Sequence, residues 1–435
     1  MPIRWSRIHA ELGLSPTPLT HAMVMRAIEA RMAEYDDLDW KQALPPEVEK
    51  KRLEFAKDVA AMANTRGGLI VYGVREENER AVELTGVSNG ERDRQTLRSF
   101  ANRYVRPLVD GLLIEALDGE DGAPGLIAVY VPPSPDAPHV IGDTNAMGVP
   151  FRYETDTNWM SENQLERAYR DRFSRRADDR AALSALIDDL APEIDLLKGV
   201  WVAVAARPVA PVPLLSSHPE REQVTATMLN ALELVSEMFG KPQGRVPVLN
   251  ELLPNGAIIN PRNGLRRWVV RSNHYSADPH DLVDCALVEL HHDGSVALAM
   301  GLWAFLRGAR VSDRVADIRP VPIRLVDAVI AEAIALVSTH VRGLGGVGTI
   351  LTRAALLWDD LPRDFPLVAI DNQLGGGALS TLYHPVQEAR GVRNPKAVEA
   401  SFSADYDVTA LRGVARQLAD DLSQQFGMRG SSIPK

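Results

Sequence analysis

The chain of 435 residues contains one cysteine, Cys285. That excludes an internal disulfide and any multi-cysteine zinc site, and because Cys285 lies in an apolar, strand-like run it is expected to be buried and is given no role. Long hydrophobic runs are missing too. The longest, around Ala297 to Leu306, has about ten residues, well short of the ~18 needed to cross a bilayer, and the N-terminus is too polar for a secretory signal. These absences point to a cytoplasmic protein with no membrane partner. A basic excess is also lacking: 48 Lys and Arg face 58 Asp and Glu, for a net charge of −10. Affinity for nucleic acid at large comes from neutralised phosphates, so a nucleic-acid site in this chain must be a local patch.

What is present is an ordinary globular composition, 45% apolar and 24% charged, in a chain longer than one hydrophobic core usually supports. Two domains are expected. Residues 1–19 read as a polar arm, 20–176 as a first domain, 177–199 as a connecting helix and 200–435 as a second domain, the whole being α+β. In the first domain, Thr20 caps a helix from His21 to Glu34, and Asp37 to Lys41 alternates as a short half-buried strand with Leu38 and Trp40 on one face and Asp37, Asp39 and Lys41 on a charged one. A helix from Glu47 to Asn64, the strand Leu69 to Val74, a helix from Arg92 to Val105 and a strand from Gly125 to Val131 follow. In the second, Arg267 to Phe305 reads as antiparallel strands with an Asp293-Gly294 turn, and long helices are expected at Leu325 to Val341 and Val408 to Phe426.

Two positive concentrations stand out. Arg92 to Arg106 and Arg167 to Arg180 carry net charges of +4 and +3. Taken alone, an arginine-rich helix face is more often solvated or salt-bridged than in contact with phosphate. A second signal is acidic. Glu34, Asp39 and Glu76, with Glu77 adjacent, come from three elements, and converging carboxylates are the ligand set of Mg2+ or Mn2+ that metal-dependent phosphodiester cleavage requires. Lys41, on the same strand face as Asp39, is placed to stabilise a pentavalent phosphorane. The plain alternative is that all of these are solvated surface.

The surrounding text adds to this. Leu38–Leu44, Glu54–Glu77, Glu83–Val87 and Phe151–Phe173, and above all the block Ala63-Asn64-Thr65-x-Gly67-Gly68 leading to Gly73-Val74, resemble the Schlafen AlbA-like domain in order and spacing over about residues 20–176. The resemblance implies an AlbA-like α+β domain that binds RNA or DNA. Members that cut RNA use two acids on the first strand region and a third after the glycine strand, which carries over to Glu34, Asp39 and Glu76, with Mg2+ or Mn2+ as the cofactor. Asp39 stands where a glutamate is usual and Glu76 where an aspartate is. The resemblance also matches Arg152 to an arginine of the closing strand, and it adds weight to Arg98, Arg103, Arg106 and Arg172 as phosphate contacts. Trp159, Tyr153 and Tyr169 are candidates to stack on bases, or else core. Members with two lobes enclose RNA between them; one lobe here implies a homodimer, with the apolar helices of the second domain as its self-complementary surface.

Three functions remain open from these residues: a metal-dependent endoribonuclease, a non-catalytic nucleic-acid-binding regulatory module, and an ATP-dependent regulator. The last is disfavoured because Gly343 to Thr349, the one phosphate-loop-like run, lacks the lysine and follows a helix instead of a strand. His291-His292 reads as a turn decoration with no acid at ligand spacing, and Gly375-Gly376-Gly377 as a loop.

Overall fold

A computed structural model of the chain describes residues 2–119, 124–143, 146–210, 212, 219–239, 247–253, 257–272, 284–306, 310–311, 317–359, 365–371 and 382–435. The glycine run at 375–377 lies outside them. The architecture is α+β, in two compact units: residues 1–179 with the segments 209–213 and 345–349, and residues 180–208, 214–344 and 350–435.

The first unit starts with α1 (Arg7–Glu11) and α2 (His21–Glu29). Residues 1–19 are not a loose arm. Ile3, Ile8 and Leu19 are each under 5% exposed and join the core beside Val24, Ala27 and Ile28 of α2, and His9 is fixed by the Ser6 hydroxyl and the Thr17 carbonyl. Their apolar residues are too widely spaced to produce a periodic signal. Helix α2 also ends earlier than the expected Glu34. Arg31 adopts a φ of 47°, while its N–H bonds Ile28 O and that of Met32 bonds Ala27 O, the paired bonds of a Schellman cap.

Strand β1 (Leu38–Lys41), α3 (Glu49–Ala63) and β2 (Gly68–Tyr72) come next, and β2 is followed by the hairpin β3 (Val74–Glu77) and β4 (Arg80–Leu84). The expected strand through Val74 breaks at Gly73, whose φ of 100° turns the chain away. Asn78 and Glu79, both at positive φ, form the two-residue hairpin turn. Then come α4 (Glu91–Tyr104), β5 (Val105–Arg106), β6 (Leu113–Leu117), β7 (Leu126–Val131), β8 (Val140–Asp143), β9 (Ala146–Gly148), β10 (Pro150–Tyr153), β11 (Asp156–Trp159) and α5 (Glu162–Leu190).

The central sheet has the order β1-β2-β7-β6, parallel between β1 and β2 and antiparallel elsewhere. Alternation sends Leu38, Trp40, Leu69, Val71 and Ala128 to the face covered by α2, and Ile70, Tyr72, Ile127 and Val129 to the face covered by Phe55, Val59 and Met62 of α3 and by Phe100 of α4. Strand β1 is therefore buried on both faces, and the charged face expected to meet water lies under α3. Asp39 is 2% exposed. The block after α3 is scaffold: Asn64 donates to His139 O and Pro150 O and accepts from His139 N, tying β8 and β10 to the helix end. At Gly67, with φ 76°, a Cβ would lie 2.5 Å from Val131 O, so only glycine fits.

The second unit is built on β12 (Trp201–Pro208), α6 (Arg221–Met238), α7 (Pro247–Leu252), β13 (Arg262–Gly264), β14 (Arg267–Arg271), β15 (Ala286–His291), β16 (Val296–Gly301), β17 (Arg310–Val311), β18 (Arg319–Pro322), α8 (Ile323–Gly343), β19 (Thr349–Leu357), β20 (Leu367–Asp371), β21 (Leu382–Pro385), β22 (Val398–Ser403) and α9 (Val408–Gln425). A seven-stranded sheet runs β13-β14-β15-β16-β12-β19-β22, and its β15–β16 turn is at Asp293-Gly294 as expected. Helix α8 packs against β12 and β16 and against α6 and α9, and almost every residue from Ile323 to Val341 is buried. This apolar helix, expected to offer a surface to a second copy, is instead core of its own unit. Gly345 and Gly348 both take positive φ, and within the Gly343–Thr349 run residues 344–348 form the turn between α8 and β19. His291 is not a bare decoration: its Nε2 lies 3.2 Å from Glu289, which also pairs with Arg267. Cys285 is buried and free of disulfides, as expected.

Candidate functional site

The residues singled out by chemistry divide between two places in the first unit. One is beneath α3. There Asp39, carried by β1 onto the α3 face, receives Lys41 Nζ at 2.6 Å on one carboxylate oxygen and Arg152 Nη2 at 3.4 Å on the other. Arg152 is 8% exposed; its Nη1 donates to Thr155 O at 2.8 Å, and its backbone N donates to the Thr65 hydroxyl. The expectation that Arg152 contacts phosphate is corrected: a buried aspartate needs a partner inside the protein, and Arg152 is one.

Glu34 belongs to the same cluster. Its Oε1 accepts from Trp40 N at 2.8 Å, while its own N–H donates to Glu79 O, so the β3–β4 hairpin and β1 hold it from both sides. Burial, and then the adjacent Asp39 carboxylate, push its pKa up to about 7. Asp58 on α3 is a further member, one that motif spacing did not single out. Burial and the nearby Asp39 raise its pKa as well. A signal was available, since Asp58 sits three residues after Phe55 and one before Val59, a charge interrupting the apolar stripe of α3. Burial pulls the Lys41 pKa down, but Asp39, Asp58 and Glu34 outweigh it and the net shift is upward.

Glu76, the expected third acid, is on the exposed side of the β3–β4 hairpin, as is Glu77. Among the described residues no three His, Cys, Asp or Glu side chains gather as a metal site requires. The expected cluster of Glu34, Asp39 and Glu76 is therefore not formed. The physical reason is placement: Glu76 stands exposed on the β3–β4 hairpin, whereas Asp39 is buried on β1 against Lys41 and Arg152. What it can do is hold a proton on Glu34 and present the Lys41 ammonium, 40% exposed, at its edge.

The second place is α4. Leu97, Phe100, Ala101 and Tyr104 bury one side, and Arg92, Arg98 and Arg103 stand on the rest, followed by exposed Arg106 on β5. Arg94 pairs with Glu91, and Asp93 accepts from the Ser88 hydroxyl, so the acids of this helix are engaged elsewhere. Arg103 lies 5.3 Å over the Tyr104 ring, and Arg106 Nη1 donates to the Val105 carbonyl. Arg172 of α5 is less free: it and Arg176 both pair with Asp136.

Residues 34–161 match the sequence model of the Schlafen, AlbA_2 family. This segment is a Schlafen AlbA_2 domain. The crystal structure of the DIP2311 protein from Corynebacterium diphtheriae is similar to 49% of this chain at 15% identity and a TM-score of 0.22, and the match spans 37% of that protein. No curated protein matches the chain. Within the Schlafen AlbA_2 domain, both the buried ion cluster and the arginine face of α4 lie inside the matched residues.

Proposed function

We propose that the Schlafen AlbA_2 domain binds nucleic acid, RNA or DNA, by laying the exposed face of α4 and β5 along a phosphate backbone. The observation that carries this is the state of Arg92, Arg98, Arg103 and Arg106: in a chain of net charge −10, these four arginines in one short stretch have no carboxylate partner among the described residues. Solvent-facing arginines with no competing acid suit phosphate oxygens, and such contacts position the strand without reading sequence. Arg172 contributes less, because Asp136 competes for it.

Replacing Arg98 and Arg103 by Gln is expected to weaken binding similarly across sequences and to lower the slope of log affinity against log salt by roughly two on a duplex. An unchanged slope would return these arginines to the solvated-surface reading. Cleavage is tested separately, by incubating the purified chain with total RNA and Mn2+, with and without chelator. On the geometry of Glu34, Asp39 and Glu76 the expected result is binding without chelator-sensitive cleavage; cleavage lost in Asp39→Asn but retained in Glu76→Gln would instead assign chemistry to the buried cluster.

A further inference from the structure

The first unit contains an apolar groove that neither charged region uses. It has a volume of about 580 Å³ and is lined by Leu53, Ile141, Met147 and Trp159 together with Lys50, Glu54 and Lys57. Two of the lining residues are too exposed for large apolar side chains that serve only as core: Trp159 is 53% and Met147 73% exposed. The indole lies against the backbone of Gly148, where a Cβ would come 2.5 Å from Trp159 Cζ3. A glycine here lets the ring approach the β9 backbone this closely while about half of Trp159 stays exposed.

The charges around the groove are cationic in balance. Lys50 has no acid partner among the described residues, Glu54 is engaged by Lys51 at 2.7 Å, and Lys57 lies 3.6 Å from Asp58, which is only 16% exposed. Topology links the groove to the arginine face. The three-stranded sheet runs β5-β8-β9, with Arg106 opposite Val140 and Ile141 opposite Gly148, so Arg106 and Gly148, the residue that Trp159 of β11 lies against, are on opposite edges of one sheet two strand spacings wide, roughly 10 Å.

We infer that this groove takes an unpaired base of a single-stranded nucleic acid, stacked on Trp159 and walled by Met147, with Lys50 and Lys57 on the flanking phosphates. The inference rests on the nucleic-acid-binding reading and narrows it to strands with bare bases. An indole face with lysines at its margin is the chemistry of single-strand platforms, in which aromatic stacking is sequence-tolerant and phosphate contact supplies the rest. A base inside a duplex has both faces covered and cannot enter.

The test uses the full chain and four fluorescent probes: a ten-nucleotide adenine RNA strand, its DNA counterpart, an abasic strand of the same length, and an RNA duplex. The wild-type chain is expected to bind the two single strands about equally, since the ring reads the base face and not the sugar, and to bind the abasic strand about tenfold more weakly. Trp159→Ala is expected to weaken the single strands about tenfold while leaving the abasic strand and the duplex unchanged, and Trp159→Phe to recover most of the loss. Thermal unfolding of both variants checks that the exposed position does not alter the fold. If Trp159→Ala leaves single-strand affinity unchanged while duplex binding persists, stacking is wrong and the arginine reading stands. If Trp159→Ala instead abolishes capture of an apolar peptide and not of the strands, the groove is a protein site. If the wild-type chain binds none of the probes, both readings fail together.

Discussion

Two regions of the Schlafen AlbA_2 domain contain nearly the same residue types and put them to opposite uses. Beneath α3, Glu34, Asp39, Lys41 and Arg152 are drawn together with Asp58 of α3 and mostly shielded from water, and Asp39 is committed to Lys41 and Arg152. On α4, arginines stand apart in solvent with their acids engaged elsewhere. The comparison teaches that the reactivity of a charged residue toward a partner depends on what it has already satisfied. Burial forces internal pairing because an unpaired buried ion costs several kcal/mol, whereas an exposed arginine stays hydrated and can exchange its water for a phosphate.

The comparison breaks most visibly at Asp39. Asp39→Asn removes the counter-charge of buried Arg152 and of Lys41 and is expected to destabilise the domain by about 3 kcal/mol, measured as a lower midpoint in urea. A midpoint unchanged from wild type would mean that the cluster is solvated like α4 and that Asp39 is free for a ligand.

Glu34 sharpens the contrast through pH. Its pKa rises from an ordinary 4.5 to about 7 on folding. The folded chain thus holds a proton that the unfolded chain releases, so the contribution of Glu34 to stability is full below about 4.5, falls as pH rises through the interval, and is lost above about 7. The expected loss is about 2 kcal/mol, discounted for the part of Glu34 that water reaches. Glu34→Gln should flatten this part of the profile when unfolding is followed from pH 5 to pH 8; a wild-type profile parallel to that of the variant would show that Glu34 is not the group responsible.

The smallest effect on stability is expected on α4. The double replacement of Arg98 and Arg103 by Gln should move the unfolding free energy by no more than about 0.5 kcal/mol, because neither side chain is buried or paired with an acid. A larger loss would place those arginines in the fold and not at an interface.

Much of the fold is legible in the order of residues alone. Periodicity locates β1, α3, β2, α4 and the long helices α8 and α9, since a 3.6-residue or two-residue apolar repeat is a local property of the chain. The glycine block at Gly67-Gly68 is legible because left-handed turns and close backbone approach select glycine directly. The end of α2 at Glu29 is not, because the Schellman cap uses Arg31, a residue with no turn signature. The groove is only half visible: Trp159 stands out as a stacking candidate, but whether an aromatic near a helix start is covered depends on what packs over it.

The sequence by itself determined which residues carry charge, which faces of each element are apolar, and that a Schlafen AlbA_2 domain precedes a second α+β region. Only the tertiary structure decided which charges are free. Whether β1 has one buried face or two depends on what packs over it, and that packing, which brings Arg152 of the distant β10 to β1, turns Asp39 from an exposed metal-ligand candidate into the partner of Lys41 and Arg152. Alternation along a strand gives the side to which each residue points; what waits on that side is set by long-range packing, which no local pattern contains.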